Sequence, residues 1–158
     1  MGTRLYHPKQ RMSDEARLRA LVASCRETLG DKHPQTLLSI NNMALLLKDQ
    51  GKLAEAEGLC REALTGSRET LGNKHPETLI SINNLAALLS DMGKMAEAEP
   101  LCQEALAVRR ETLGNKHPDT LRSTGNMASL LNALSCLRRS HCAVRRWLED
   151  GRRWGTST

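Results

Sequence analysis

No phenylalanine occurs in this 158-residue chain, and aromatic residues make up only 2% of it. A core built from these residues must be Leu, Ile, Met and Ala. That suits packed helices better than sheets, because strands favour β-branched and aromatic side chains. Apolar runs are short as well. Met43–Leu47 and Leu85–Leu89 are among the longest, far below the roughly 20 residues of a membrane-spanning helix. No hydrophobic stretch of signal-peptide type follows Met1. Cysteine occurs five times, an odd count. Cys60 and Cys102 fall on apolar faces, so the expectation is reduced, buried thiols in a cytoplasmic protein rather than a disulfide framework. The signatures of catalysis are missing too: no Gly-rich phosphate loop, no His-Glu-x-x-His, no paired-Cys metal motif and no nucleophile elbow. The chain is expected not to be an enzyme and to carry no cofactor.

Charge is present but uneven. The net charge is +5. Residues 1–24 carry five basic and two acidic side chains, and residues 136–158 carry six and two. The body between them holds twelve basic and fourteen acidic residues, so it is close to neutral. Basic ends can attract nucleic acid or an anionic membrane, and they can equally be solvated tails. The arginine pairs Arg138-Arg139, Arg145-Arg146 and Arg152-Arg153 recur every seven residues, with Trp147 and Trp154 beside them. On a helix they would form a basic stripe, but Gly151 and Gly155 argue against a continuous helix there.

The chain repeats itself every 42 residues. Arg26-Glu-Thr-Leu-Gly-Asp-Lys-His-Pro-Gln-Thr-Leu37 returns as Arg68-Glu-Thr-Leu-Gly-Asn-Lys-His-Pro-Glu-Thr-Leu79. It returns again as Arg110-Glu-Thr-Leu-Gly-Asn-Lys-His-Pro-Asp-Thr-Leu121. A fixed period of this size marks a solenoid, in which each unit buries its apolar face by stacking on a neighbour. Each unit reads as two helices. The first opens at His33-Pro34, His75-Pro76 or His117-Pro118, since proline suits the first helical position. Leu37, Ile40, Met43-Ala44 and Leu47 then recur at helical spacing, and Gly51 and Gly93 end the helix. The second helix carries Leu53, Ala56, Leu59-Cys60 and Ala63-Leu64 on one face and Glu55, Glu57, Arg61 and Glu62 on the other. Gly72 and Gly114 stop it. The first helix is apolar nearly all round and belongs between neighbours, whereas the second belongs outside.

Two segments are imperfect. Residues 13–29 read as a second helix without its first, with Ser13 as N-cap. The third unit departs from the pattern after Leu134: Ser135 stands where Gly51 and Gly93 stood, and Trp147 where Ala63 and Ala105 stood. The expected organisation is an N-terminal arm over 1–12 and a repeat domain over 13–134. Within that domain lie the half-repeat 13–29 and units near 34–71, 76–113 and 118–134 onward. A degenerate basic tail follows over 135–158.

The recurring His33, His75 and His117 are expected to cap helices rather than bind metal, because equivalent residues in successive units lie about 8–10 Å or more apart. Cys136, His141 and Cys142 lack a fourth zinc ligand at a usual spacing. No metal is expected.

The Gly, Ala and Ala-Leu pattern over a helix pair resembles the tetratricopeptide repeat, whose usual unit is about 34 residues. The Leu-Gly-Asn-Lys-His-Pro-(Asp/Glu)-Thr linker, Asn-Asn-Leu-Ala at 83–86 and Gly-Lys-Met-Ala-Glu-Ala-Glu-Pro-Leu-Cys at 93–102 resemble the kinesin light chain and nephrocystin-3 group of these repeats. The resemblance implies an all-α, right-handed α-solenoid of stacked antiparallel helix pairs. It also implies a protein-interaction scaffold that binds an extended peptide of a partner on its concave face, in the cytoplasm and in association with the cytoskeleton; Lys48 and Arg122 on that face would favour an acidic peptide. The implied groove stripe is Leu38, Asn41, Leu45 and Lys48, then Ile80, Asn83, Ala87 and Ser90, then Arg122, Ser129 and Asn132. Spacings of 3, 4 and 3 keep these on one face. Gly125 departs from the pattern, since an Asn stands at that position in the other units. Self-association through the open end of the stack is a further expectation. The alternatives are nucleic-acid or anionic-membrane binding through the basic ends, or a fragment of a larger repeat protein with no function of its own.

Overall fold

The computed structural model describes the backbone of residues 8–153 and the side chains of residues 14–136. Six helices follow one another: α1 (Pro8–Leu29), α2 (Pro34–Asp49), α3 (Leu53–Leu71), α4 (Pro76–Asp91), α5 (Met95–Leu113) and α6 (Pro118–Arg153). No strand occurs among the described residues.

Local chemistry sets the boundaries. The histidines His33, His75 and His117 stand immediately before α2, α4 and α6, and each Nδ1 accepts the backbone N–H two residues on, at 3.2 Å. That satisfies one of the orphan donors of a helix start, and the proline that follows has no N–H to satisfy. The turns at Gly51 and Gly93 need φ of +79° and +75°, values that a side chain disfavours. Thr36 and Thr78 are fully buried, and each hydroxyl donates to the carbonyl of the glycine six residues earlier at 2.8 Å. This ties the end of one unit to the start of the next.

The core is aliphatic throughout. Ile40, Leu47, Ile82, Leu88 and Leu89 are at most 1% exposed, and Ala56, Ala63, Ala98 and Ala105 are fully buried. Each large side chain contributes about 1.5–3 kcal/mol through burial. The alanines let the outer helices approach the inner ones closely. Consecutive helices pack antiparallel down the chain, and α2 touches α4 as α4 touches α6. Among the described residues, α1, α3 and α5 do not approach one another so closely. The even-numbered helices are therefore the tighter row, and the stack curves around them.

Ion pairs bridge the wider outer row instead, and they repeat with the sequence. Glu15–Lys52 at 2.9 Å returns as Glu57–Lys94 at 2.7 Å. Arg19–Glu55 returns as Arg61–Glu97, Arg26–Glu62 as Arg68–Glu104, and Lys32–Glu69 as Lys74–Glu111. Lys94 and Arg61 hold the Glu57 carboxyl below its usual range. Lys52, followed by Arg19, does the same to Glu15. The next rung would set Gln103, Arg110 and Lys116 against positions 139, 146 and 153. All three of those are arginine where glutamate stands in the earlier units.

Two expectations are corrected. Helix α1 starts at Pro8, so Ser13 lies inside it and is not its N-cap. Proline opens the helix as it does in the later units, and no breaker follows it. Helix α6 runs through Ser135 and Gly151 to Arg153. Without a left-handed glycine at 135 the hairpin has no turn. A single Gly151 costs only about 1 kcal/mol in a helix interior, too little to stop it. The arginine pairs, Trp147, Trp154, His141 and Cys142 lie outside the residues whose side chains are described.

Candidate functional site: the inner face of the even-numbered helices

The expected groove stripe lies on α2, α4 and α6, the tighter row. Leu38, Leu45 and Ile80 are 39%, 40% and 38% exposed, high for large aliphatic side chains within a helical stack. Ala87, Ser129 and Asn132 are exposed, as is Gly125. These positions present shallow apolar and small polar surface in line.

Asn83, Ala87, Ser90 and Ser129 come together around a hollow of about 310 Å³ between α4 and α6, with Met95 and Leu130 at its back. Asn126, one residue off the stripe, joins its wall. Ser90 donates to the Met95 sulfur at 3.6 Å. A second, much narrower gap lies between α2 and α4, among Leu38, Asn41, Ser67 and Ile80. Asn132 and Arg122 do not line either space.

The two asparagines behave differently. Asn41 is only 5% exposed, and its Nδ2 donates to Ser81 Oγ at 2.7 Å. Its amide thus links α2 to α4, and its Oδ1 has no partner. Asn83 is half-buried, and its Nδ2 is the buried atom without a partner. A buried donor left unpaired costs about 1–3 kcal/mol, so it is rarely kept without reason.

The two cations of the stripe are already engaged. Lys48 pairs with Asp91 at 2.8 Å, and Arg122 with Asp119 at 3.1 Å one helical turn away. Arg109 is a cation the sequence reading passed over. It is 2% exposed on α5, and its Nη1 donates to Ser123 Oγ. It makes no ion pair among the described residues. Burial, then the nearby charge of Arg122, pushes the guanidinium below its usual value, and Asp119 opposes this. The signal was available: the two earlier units hold Cys25 and Ser67 at this buried position, and an arginine there breaks the pattern.

Other chemistry is sparse. Cys25, Cys60 and Cys102 are buried free thiols, and burial pushes Cys60 up to about 11. Among the described residues, no three His, Cys, Asp or Glu side chains gather as a metal site. No described helix is long and apolar enough to cross a membrane.

Residues 36–77 and 78–119 each match the tetratricopeptide repeat family model. No curated protein matches the chain. Among solved structures, the chain is similar to a kinesin light chain with nearly identical TPR-like repeats from Podosopora anserina. A point variant of that protein matches at 26% identity and a TM-score of 0.71, over 87% of this chain and 65% of that one. A second structure from the same source matches at 25% identity and a TM-score of 0.69, over 94% and 71%. BtubC (BKLC) from P. vanneervenii shares the fold with a TM-score of 0.71 at 18% identity, over 95% of this chain and 60% of that one. The chain thus spans 60–71% of the length of these structures. The two matched units make up more than half of the sequence, and the chain belongs to the tetratricopeptide repeat family, in its kinesin light chain-like form.

Proposed function

We propose that this chain captures an extended peptide segment of a partner protein along the inner face of α2, α4 and α6. Tetratricopeptide repeats with kinesin light chain-like neighbours support a protein-interaction scaffold. The observation that carries the finer reading is the hollow between α4 and α6. It is walled by Asn83, Ala87, Ser90 and Ser129, and the buried Nδ2 of Asn83 has no partner there. An extended peptide carries a carbonyl at every residue, and such a carbonyl is what an unpaired amide donor lacks. Leu38, Leu45 and Ile80 would receive apolar side chains further along the face.

The test is a pull-down with the whole chain, comparing wild type with Ala87→Trp, which fills the hollow, and with Asn83→Ala. Both variants should recover fewer partners while melting as wild type does. Equal recovery by all three proteins would remove the groove from the function.

A further inference from the structure

We propose that copies of this chain stack head to tail, with α1 of one copy docking on α6 of another so that the two helices complete a repeat unit between them. This surface lies apart from the peptide groove, and the proposal does not depend on peptide capture.

The two complete units show what such a contact covers. On α2, Leu37, Ile40, Ala44 and Leu47 share one face at spacings of 3, 4 and 3, and they are at most 2% exposed. Leu79, Ile82, Ala86 and Leu89 repeat that face on α4, at most 3% exposed. On α6 the same positions hold Leu121, Thr124, Ala128 and Leu131. All four are exposed, Leu121 at 57% and Leu131 at 48%. The difference is the outer helix. α3 packs on α2 and α5 on α4, whereas α6 runs straight on through Ser135 and has no such partner among the described residues.

α1 shows the converse. It is the counterpart of α3 displaced by 42 residues. Its Val22 and Cys25 are buried on the side of the following inner helix, where Thr36 donates to the Cys25 carbonyl. On α3, the residues Ala56, Cys60, Ala63 and Gly66 are buried on a second face. A Cβ at Gly66 would fall 2.6 Å from Leu37, so this face looks at the inner helix of its own unit. On α1 the same face is Asp14, Leu18, Leu21 and Ser24. These are half-buried or exposed, Leu21 at 45%. One end of the described stack thus shows an outer helix without its inner partner. The other end shows an inner helix without its outer partner.

Size and charge agree with the match. The complete units carry Ile40 and Ile82 on the inner helix and Ala63 and Ala105 on the outer one. The composite unit would carry Thr124 and Leu21 there, so volume moves from one helix to the other, the kind of exchange a core tolerates. Ser24 lies between its counterparts Gly66 and Val108 in size. The ion pairs Lys32–Glu69 and Lys74–Glu111 would return as Lys116 with Glu27 of the next copy. Arg110 would meet Ala20 of that copy, whereas the chain's own continuation offers arginine at 146 and 153. A second copy is therefore favoured over this chain's own tail. Asp14 is the one charged residue on the docking face of α1, and burying it opposes the contact. The two surfaces differ, so the contact is heterologous and builds open rows rather than closed dimers.

Sedimentation velocity of the full chain tests this. The weight-average mass should rise with concentration and pass that of a dimer between about 10 and 500 μM. Leu131→Asp and Leu21→Asp each place a charge on one exposed end and should melt as wild type does. Each alone should stay monomeric. An equimolar mixture should form dimers and nothing larger, since it retains one sound α6 and one sound α1 per pair. Asp14→Ala restores the alanine of the complete units and should bring assembly to a concentration about fivefold lower or less. Ala87→Trp fills the peptide hollow and should leave assembly unchanged, which separates failure of stacking from failure of peptide capture. Wild type that stays monomeric across that range would overturn the proposal. So would self-association of Leu21→Asp alone, because α6 would then be pairing with α6.

Discussion

Replacing Arg109 with serine should make this protein more stable. Wild type buries a guanidinium against one hydroxyl and leaves Asn83 Nδ2 unpaired. Relief of the unpaired charge is worth about 1–3 kcal/mol after crediting the bond to Ser123. The freed serine can then accept from Asn83, as Ser81 accepts from Asn41 at 2.7 Å, for about 1 kcal/mol. Against this, two buried methylenes are lost at about 0.8 kcal/mol each. The net gain is about 0.5–2.5 kcal/mol, a rise in melting temperature of about 1.5–7.5 °C for a chain of this size. Arg109→Met keeps the length of the stem and removes only the charge, so its gain should exceed that of serine. Urea melts followed by helical circular dichroism measure both, and the midpoints should move without a change in slope. If both variants melt below wild type, the guanidinium is well satisfied inside the protein. The reasoning from unpaired donors would then be wrong.

Other outcomes are fixed by the turns, the buried threonines, the outer ion pairs and the thiols. Gly93→Ala places a side chain at φ +75° and should cost about 1–2 kcal/mol in a thermal melt, where an exposed alanine inside a helix would cost nothing. Thr78→Val keeps the shape of a fully buried side chain but removes its bond to Gly72. It should cost about 1 kcal/mol by the same assay. Glu57 is held below the usual carboxylate range by Lys94 and Arg61. Its contribution is therefore complete at neutral pH and is lost as pH falls through the folded-state value. An acid titration of stability should be shallower in Glu57→Gln. Cys60 and Cys102 should resist iodoacetamide at pH 8 in the native chain and react in urea, as mass spectrometry of labelled peptides would show.

Much of the fold was legible because its signals are local. His-Pro marks a helix start within two residues, and a glycine marks its end within two. The alanines at 56, 63, 98 and 105 recur at helical spacing because outer helices must come close to inner ones. The stripe Leu38, Leu45, Ile80, Ala87 and Ser129 came from the family resemblance, and helical spacing agrees that these positions share one face. Its electrostatics did not. Lys48 finds Asp91 across 43 residues, a partner that only the stacking of one unit on the next supplies. The pairing of Arg122 with Asp119, three residues apart on one helix, was readable from spacing. Asn41 became a link between helices because Ser81 faces it, which again depends on stacking. Ser13 was misread because proline at 8 outweighs a good capping residue further on. Arg109 leaves no signal in what the units share, because it stands where they differ.

The ladder of ion pairs on the outer row works as a coupling gauge. Each cassette presents one charge pattern forward and its complement backward, so a copy of residues 75–116 inserted after Lys116 should dock on both sides and lengthen the array by one step. Beyond residue 134 the complement is reversed in sign at 139, 146 and 153, and the hairpin turn is missing as well. Propagation therefore halts there by charge and by geometry at once.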